Sequence, residues 1–174
     1  MSDGTPTPEF SHVIDRRQIT ASPVELTADE TQRAALAQRF GLVSIDALSA
    51  NVTLELDGEV VKASGTLQAD VVQSCAISGE DLPVHIREEI AFNFVPECEI
   101  VSEEEIELEE EELDEIPYVG TSFDLGEAVA QSLALAIDPY ATGPDADRMR
   151  EEHDLTEKAP QGPLQEALAK LKRD

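Results

Sequence analysis

The chain has 174 residues and a formal net charge of −26, with 4% aromatic residues and no Trp. That length suits one domain with tails, whose core must be built from Val, Leu, Ile and Ala, a composition better matched to a small scaffold than to a deep pocket. The acidity repels phosphate backbones and anionic lipid and attracts basic proteins, polyamines and divalent cations, so tight direct binding of nucleic acid is disfavoured.

Residues 1–9 are small, polar and Pro-containing and read as a disordered N-terminus. MSDGTPTPEF has neither the charge nor the apolar centre of a signal peptide. No apolar run approaches the roughly 20 residues of a membrane span, and the expected location is cytoplasmic. FSHVIDRRQI (10–19) places Phe10 and Ile14 on one face and Val13 and Ile19 on the other, which predicts a strand added to the main sheet. In LTADETQRAALAQRFGL (26–42), Thr27 with Glu30 offers a reciprocal capping box and Gly41 a stop. These signals predict a helix over about 28–40, lying on a surface through the thin face of Ala35, Leu36 and Phe40.

NVTLELDGEVVKASGTLQADVVQSC (51–75) carries the clearest pattern. Val52, Leu54 and Leu56 alternate with polar residues up to Asp57-Gly58, a dipeptide favoured in two-residue hairpin turns. Pairing about that turn sets Leu56 opposite Glu59, Leu54 opposite Val61 and Val52 opposite Ala63. Val61, Ala63, Leu67, Ala69 and Val71 then face inward, while Lys62, Ser64, Thr66, Gln68 and Asp70 face water. VHIREEIAFNFVP (84–96) supplies a third long strand, antiparallel to the second, with Ile86, Ile90, Phe92 and Phe94 inward. On that ladder Cys75 and Cys98 fall roughly 40 Å apart, beyond disulfide reach, and two free thiols are expected.

Residues 97–115 hold twelve acidic side chains and no Lys or Arg. In SFDLGEAVAQSLALAIDPY (122–140), Asp124 with Glu127 forms a second capping box and Pro139 a stop. Leu125, Val129, Leu133, Ala136 and Ile137 make a broad stripe, so the main core helix is predicted over 124–137, covering one face of the sheet. Residues 141–162, punctuated by Pro144 and Pro160, read as a linker. PLQEALAKLK (163–172) opens on Pro163 and aligns Leu164, Leu168 and Leu171, a short helix that must dock to persist. The expected architecture is α+β: a twisted antiparallel sheet in a single domain over 10–140, with an acidic insertion at 97–115.

No catalytic template fits. The sequence lacks a Gly-rich phosphate loop, Gly-x-Ser-x-Gly, Cys-x-x-Cys and His-Glu-x-x-His. His12, His85 and His153 are isolated from one another, and Asp145 with Asp147 begins a calcium-loop pattern that no glycine or bidentate acid completes. Cys75 has no Lys or Arg near in sequence to lower its pKa and reads as a small packed side chain. Neither a metal nor a cofactor is expected.

Order and spacing over about residues 10–172 nevertheless resemble the YceD family, the large ribosomal RNA subunit accumulation proteins. The resemblance rests on Gly65 in the long strand, Cys75 at its end, and Phe92 and Phe94 with Val95-Pro96 closing the next strand. It continues through the Asp124-Leu125-Gly126 helix start and the Pro163-led terminal helix. Some members carry a Cys-x-x-Cys pair near the first Cys; here that second position holds Ser78. The resemblance implies a role in ribosome biogenesis without an established enzymatic activity.

An acidic protein can support rRNA accumulation without gripping RNA, by escorting a basic ribosomal protein or by binding an rRNA-processing factor. The expected direct partner is therefore a basic protein, with direct RNA binding weak or absent and no membrane association. The expected contact is the acidic run, where Glu103, Glu104, Glu105, Glu109, Glu110, Glu111 and Glu112 carry charge and Ile106 and Leu108 act as apolar hooks that order on binding. The blander reading is a solvated run that maintains solubility. The alternative from another class is a carboxylate-based metal-dependent enzyme, for which the sequence has many acids but no placed base, nucleophile or ligand set.

Overall fold

The computed structural model describes residues 8–97 and 115–152. In chain order they form β1 (Val13–Asp15), a 3-10 turn (Arg16–Gln18), β2 (Val24–Thr27), α1 (Glu30–Phe40), β3 (Ser44–Asp57), β4 (Val60–Ser74), β5 (Asp81–Pro96), β6 (Glu115–Tyr118), β7 (Ser122–Asp124), α2 (Leu125–Ala136) and α3 (Ala146–Glu152). The fold is α+β, with a five-stranded sheet in the order β2-β3-β4-β5-β6 and a separate ribbon of β1 with β7. Cys98, His153, the acidic run over 98–114 and the terminal helix predicted over 163–172 lie outside the described residues. The chain divides into two compact units, residues 1–73 with 83–138 and residues 74–82 with 139–174.

In the larger unit the alternation read from the sequence sets the core. Val52, Leu54, Val61, Ala63, Leu67, Ala69, Val71, Ile86, Ile90, Phe92 and Phe94 are all buried in one hydrophobic cluster. The hairpin register differs from expectation by two residues: Leu56 pairs with Val61, Leu54 with Ala63 and Val52 with Gly65. The cause is the turn. Gly58 takes the left-handed conformation, φ +64°, as the first of two loop residues, and Asp57 pairs with Val60. A slip of two leaves every side chain on its face, although Leu56, near the turn, is exposed. Gly65 has a separate constraint, because a Cβ there would lie 2.0 Å from the Asn51 carbonyl oxygen.

The N-terminal part corrects two expectations. Residues 13–15 do not join the main sheet; they pair with β7. The sheet's edge is instead β2, which sets Val24 against Val52 and Leu26 against Ala50. The helix also starts later than its first capping signal suggested. Thr27 is still paired with Ser49, and the Ala28 amide donates to the Leu48 carbonyl at 3.0 Å, so the chain stays extended through both. Asp29 then caps α1 in a box with Gln32, accepting from the Gln32 amide at 2.8 Å while Gln32 Oε1 accepts from the Asp29 amide at 2.9 Å. Gly41 ends the helix at φ +67° as expected, and α1 packs Leu36 and Ala37 against β3.

The sheet is mixed rather than wholly antiparallel, because β6 runs parallel to β5, with Asn93 beside Glu115 and Pro96 beside Tyr118. A parallel neighbour requires a crossover of about a dozen residues or more, and the eighteen residues between Pro96 and Glu115 supply it. Helix α2 follows β7 directly and is the predicted core helix: Leu125, Val129 and Leu133 are fully buried, with Ala136 and Ile137 partly so. Within the smaller unit, α3 falls inside the stretch read as a linker. Ala146 is buried there, and the Met149 amide donates to the Asp145 carbonyl at 3.0 Å.

Candidate functional site

The motif residues fall into two groups by what surrounds them. Asp124 ends β7 and collects three donors: Ser11 Oγ at 2.6 Å and the His12 amide at 2.8 Å from the N-terminal segment, and the Glu127 amide at 3.1 Å as helix cap. The Leu125 amide returns a bond to the His12 carbonyl at 3.0 Å. Gly126 lets the two backbones meet, since a Cβ there would stand 2.6 Å from the Phe10 carbonyl oxygen and 2.7 Å from the His12 nitrogen. The predicted reciprocal box is half-formed: the Glu127 carboxylate turns to Arg39, 2.8 Å from its Nη2, joining α1 to α2. That ion pair lowers the Glu127 pKa. Phe94 stacks on Phe123 with centroids 4.2 Å apart and meets Phe92 edge-on at 5.3 Å, while Val95 and Pro96 lie partly buried beside Pro117 and Tyr118 of β6. The contacts of these residues hold elements of the fold to one another.

Cys75 is different. It is a free thiol, 4% exposed, in the turn that follows β4. The turn is closed by the Cys75 amide donating to the Glu80 carbonyl at 2.7 Å and the Gly79 amide donating to the Cys75 carbonyl at 3.0 Å. Its Sγ accepts from the Ser78 amide at 3.4 Å and from the Gly143 amide at 3.3 Å. Hydrogen bonds from Ser78, the hydroxyl first and then the amide, together with the Gly143 and Ile77 amides, pull the thiol from 9.0 down to about 6. The Ser78 hydroxyl has a second claimant in Glu80 Oε2 at 3.0 Å; when it turns there, the amides alone hold the sulfur. No cation is needed for this shift, and therefore no basic neighbour announced it in the sequence. Gly143, 68 positions away, could not have been found from local spacing.

Most of the described positive charges are neutralised locally. Of the seven Lys and Arg side chains in the described residues, five pair with carboxylates: Arg16 with Glu59, Arg17 with Asp15, Arg39 with Glu9 and Glu127, Lys62 with Asp57, and Arg148 with Asp145. Arg33 donates to the Ala28 carbonyl at 2.9 Å. The Arg17 guanidinium holds the Asp15 carboxyl well below the usual carboxylate range. His85 and Asp70 form an exposed pair at 2.6 Å. Among the described residues, no three His, Cys, Asp or Glu side chains come together as a metal-ligand group.

A groove of about 500 Å³ runs beside β5. One wall is the run Glu88–Phe92, the other is the α2 face carrying Ala128, Gln131, Ser132 and Leu135, and Glu115 with Ile116 close one end. Of the residues singled out in the sequence, Ile90, Phe92 and Ala136 line this groove. Glu103, Glu104, Glu105, Ile106, Leu108, Glu109, Glu110, Glu111 and Glu112 lie outside the described residues.

Fold and charge thus define an acidic α+β protein. Residues 63–172 match the family model of the large ribosomal RNA subunit accumulation protein YceD, and the chain belongs to that family. The family's name carries a role in accumulation of large-subunit ribosomal RNA. No curated protein and no solved structure matches the chain. Among the described residues, no helix is long and apolar enough to cross a membrane.

Proposed function

We propose that this protein supports accumulation of large-subunit ribosomal RNA as a non-enzymatic cytoplasmic accessory factor, by binding a basic protein rather than the RNA. The partner class is a ribosomal protein or an rRNA-processing factor. The observation that carries this reading is the charge distribution: a net −26 on the chain, with most of the described cations tied to neighbouring carboxylates. A polyphosphate meets repulsion from such a surface, and a Lys- and Arg-rich protein meets attraction.

In this reading the acidic run makes the first contact. Glu103–Glu105 and Glu109–Glu112 attract the partner, and Ile106 and Leu108 bury on arrival. The test replaces those seven glutamates by Gln and compares capture of large-subunit ribosomal proteins from lysate, identified by mass spectrometry. Capture by the native chain that falls at least tenfold in the variant supports the proposal. Equal capture by both removes the acidic run from it.

A further inference from the structure

We propose that the edge of β5 over Glu88–Phe92 takes an extended, basic segment of a partner protein as an added strand. This rests on the reading that the partner is a basic protein, but it places a contact on the folded body and not in the acidic run. Strand β5 is sixteen residues long, and among the described residues β6 pairs with its last four, Asn93–Pro96. Among the described residues, no other strand lies on that side of β5.

Five consecutive residues, Glu88 through Phe92, line one groove. Successive side chains of a strand point to opposite faces, so a cavity that touches all five meets the strand along its edge. There the outward N–H and C=O groups form a template for a further strand, and strand addition takes its affinity from main-chain hydrogen bonds and its selectivity from pockets for alternate side chains. The opposite wall offers such a pocket. Ala128, Gln131, Ser132 and Leu135 follow helical spacing on one face of α2, and Leu135 is 89% exposed although it is large and apolar.

Charge selects the occupant. Glu88 and Glu89 point to opposite faces of the strand, and Glu115 stands at the end of the groove, so an added strand meets carboxylates on both sides. Directly opposed like charges destabilise a sheet, and opposite charges stabilise it. A segment alternating Arg or Lys with small apolar residues has the complementary pattern, with its apolar side chains against Leu135 and Ala128.

The experiment titrates the full ¹⁵N-labelled chain with a ten-residue peptide alternating Arg with Val and Thr. Two control peptides of the same sequence carry N-methyl groups on alternate backbone amides, one in each register. All three have the same charge, so general attraction to an acidic protein affects them equally. Strand addition predicts that the unmethylated peptide shifts the Glu88–Phe92 amides and binds at least tenfold more tightly than one methylated control. It also predicts that E88Q/E89Q/E115Q, checked for an unchanged melting curve, weakens binding at least fivefold. Equal affinity for all three peptides overturns the proposal, as do shifts confined elsewhere or an edge already covered by a second copy of the chain that the peptide cannot displace. The two readings separate cleanly. If purified basic ribosomal proteins bind the native chain and E88Q/E89Q/E115Q equally, only strand addition fails; if they do not bind the native chain at all, the basic-partner reading fails.

Discussion

The Asp124–Gly126 helix start and the Cys75–Glu80 turn both lie within the residues that match the family model, yet they are held for different reasons. At Asp124–Gly126 the carboxylate is filled by backbone and hydroxyl donors, and the space above Gly126 is filled by the Phe10–His12 backbone. At Cys75 the donors converge on a sulfur and shift its titration. The first region requires a shape. The second tunes a chemical property, which the fold alone does not demand.

The comparison breaks most easily at Gly126. Gly126→Ala should cost about 3 kcal/mol in urea unfolding, because the intruding methyl meets backbone that cannot step aside. Asp124→Ala comes next, at about 2 kcal/mol by the same measurement, since it removes a cap and strands two further donors. In the Cys75 region, Gly143→Ala brings a Cβ within 2.8 Å of Leu82 Cδ2, the movable tip of a side chain. Its expected cost is below about 1 kcal/mol, and a loss as large as that at Gly126 would erase the distinction. Arg39→Gln, at a half-exposed pair, should cost about 0.5 kcal/mol, a loss that shrinks in high salt.

The last prediction is read as a titration and not as an unfolding loss. The Cys75 thiol is held at about 6 instead of 9.0, so between those values the unfolded chain binds a proton that the folded chain does not. Stability from this group therefore rises with pH through that window, is complete above the unfolded value, and disappears as pH falls through the folded one. The 240 nm thiolate absorbance lost in Cys75→Ala should have its midpoint near pH 6. A midpoint near 9 would mean that the donors do not act on the sulfur.

Much of the sheet was legible because period-two alternation fixes faces, and faces survive a register error of two. That is why Val61 through Val71 are buried as expected although their partners are not those expected. The features that escaped depend on contacts distant in sequence. Strand β2 has one buried residue, Leu26, too few to alternate; β1 is a strand only because β7 pairs with it. Thr27 carries a sound capping signal that its pairing with Ser49 overrides. The groove beside β5 brings Glu88–Phe92 against residues of α2, a helix distant in the chain, which no local pattern encodes.

The central claim is that this acidic scaffold serves ribosomal RNA through a basic protein and does not hold the RNA itself. Filter binding of the full chain to large-subunit rRNA fragments at about 0.15 M salt, where screening extends over roughly 8 Å, tests it most directly. The account predicts a Kd weaker than about 10 µM, in the range of non-specific attachment. Saturable binding below about 1 µM would contradict it.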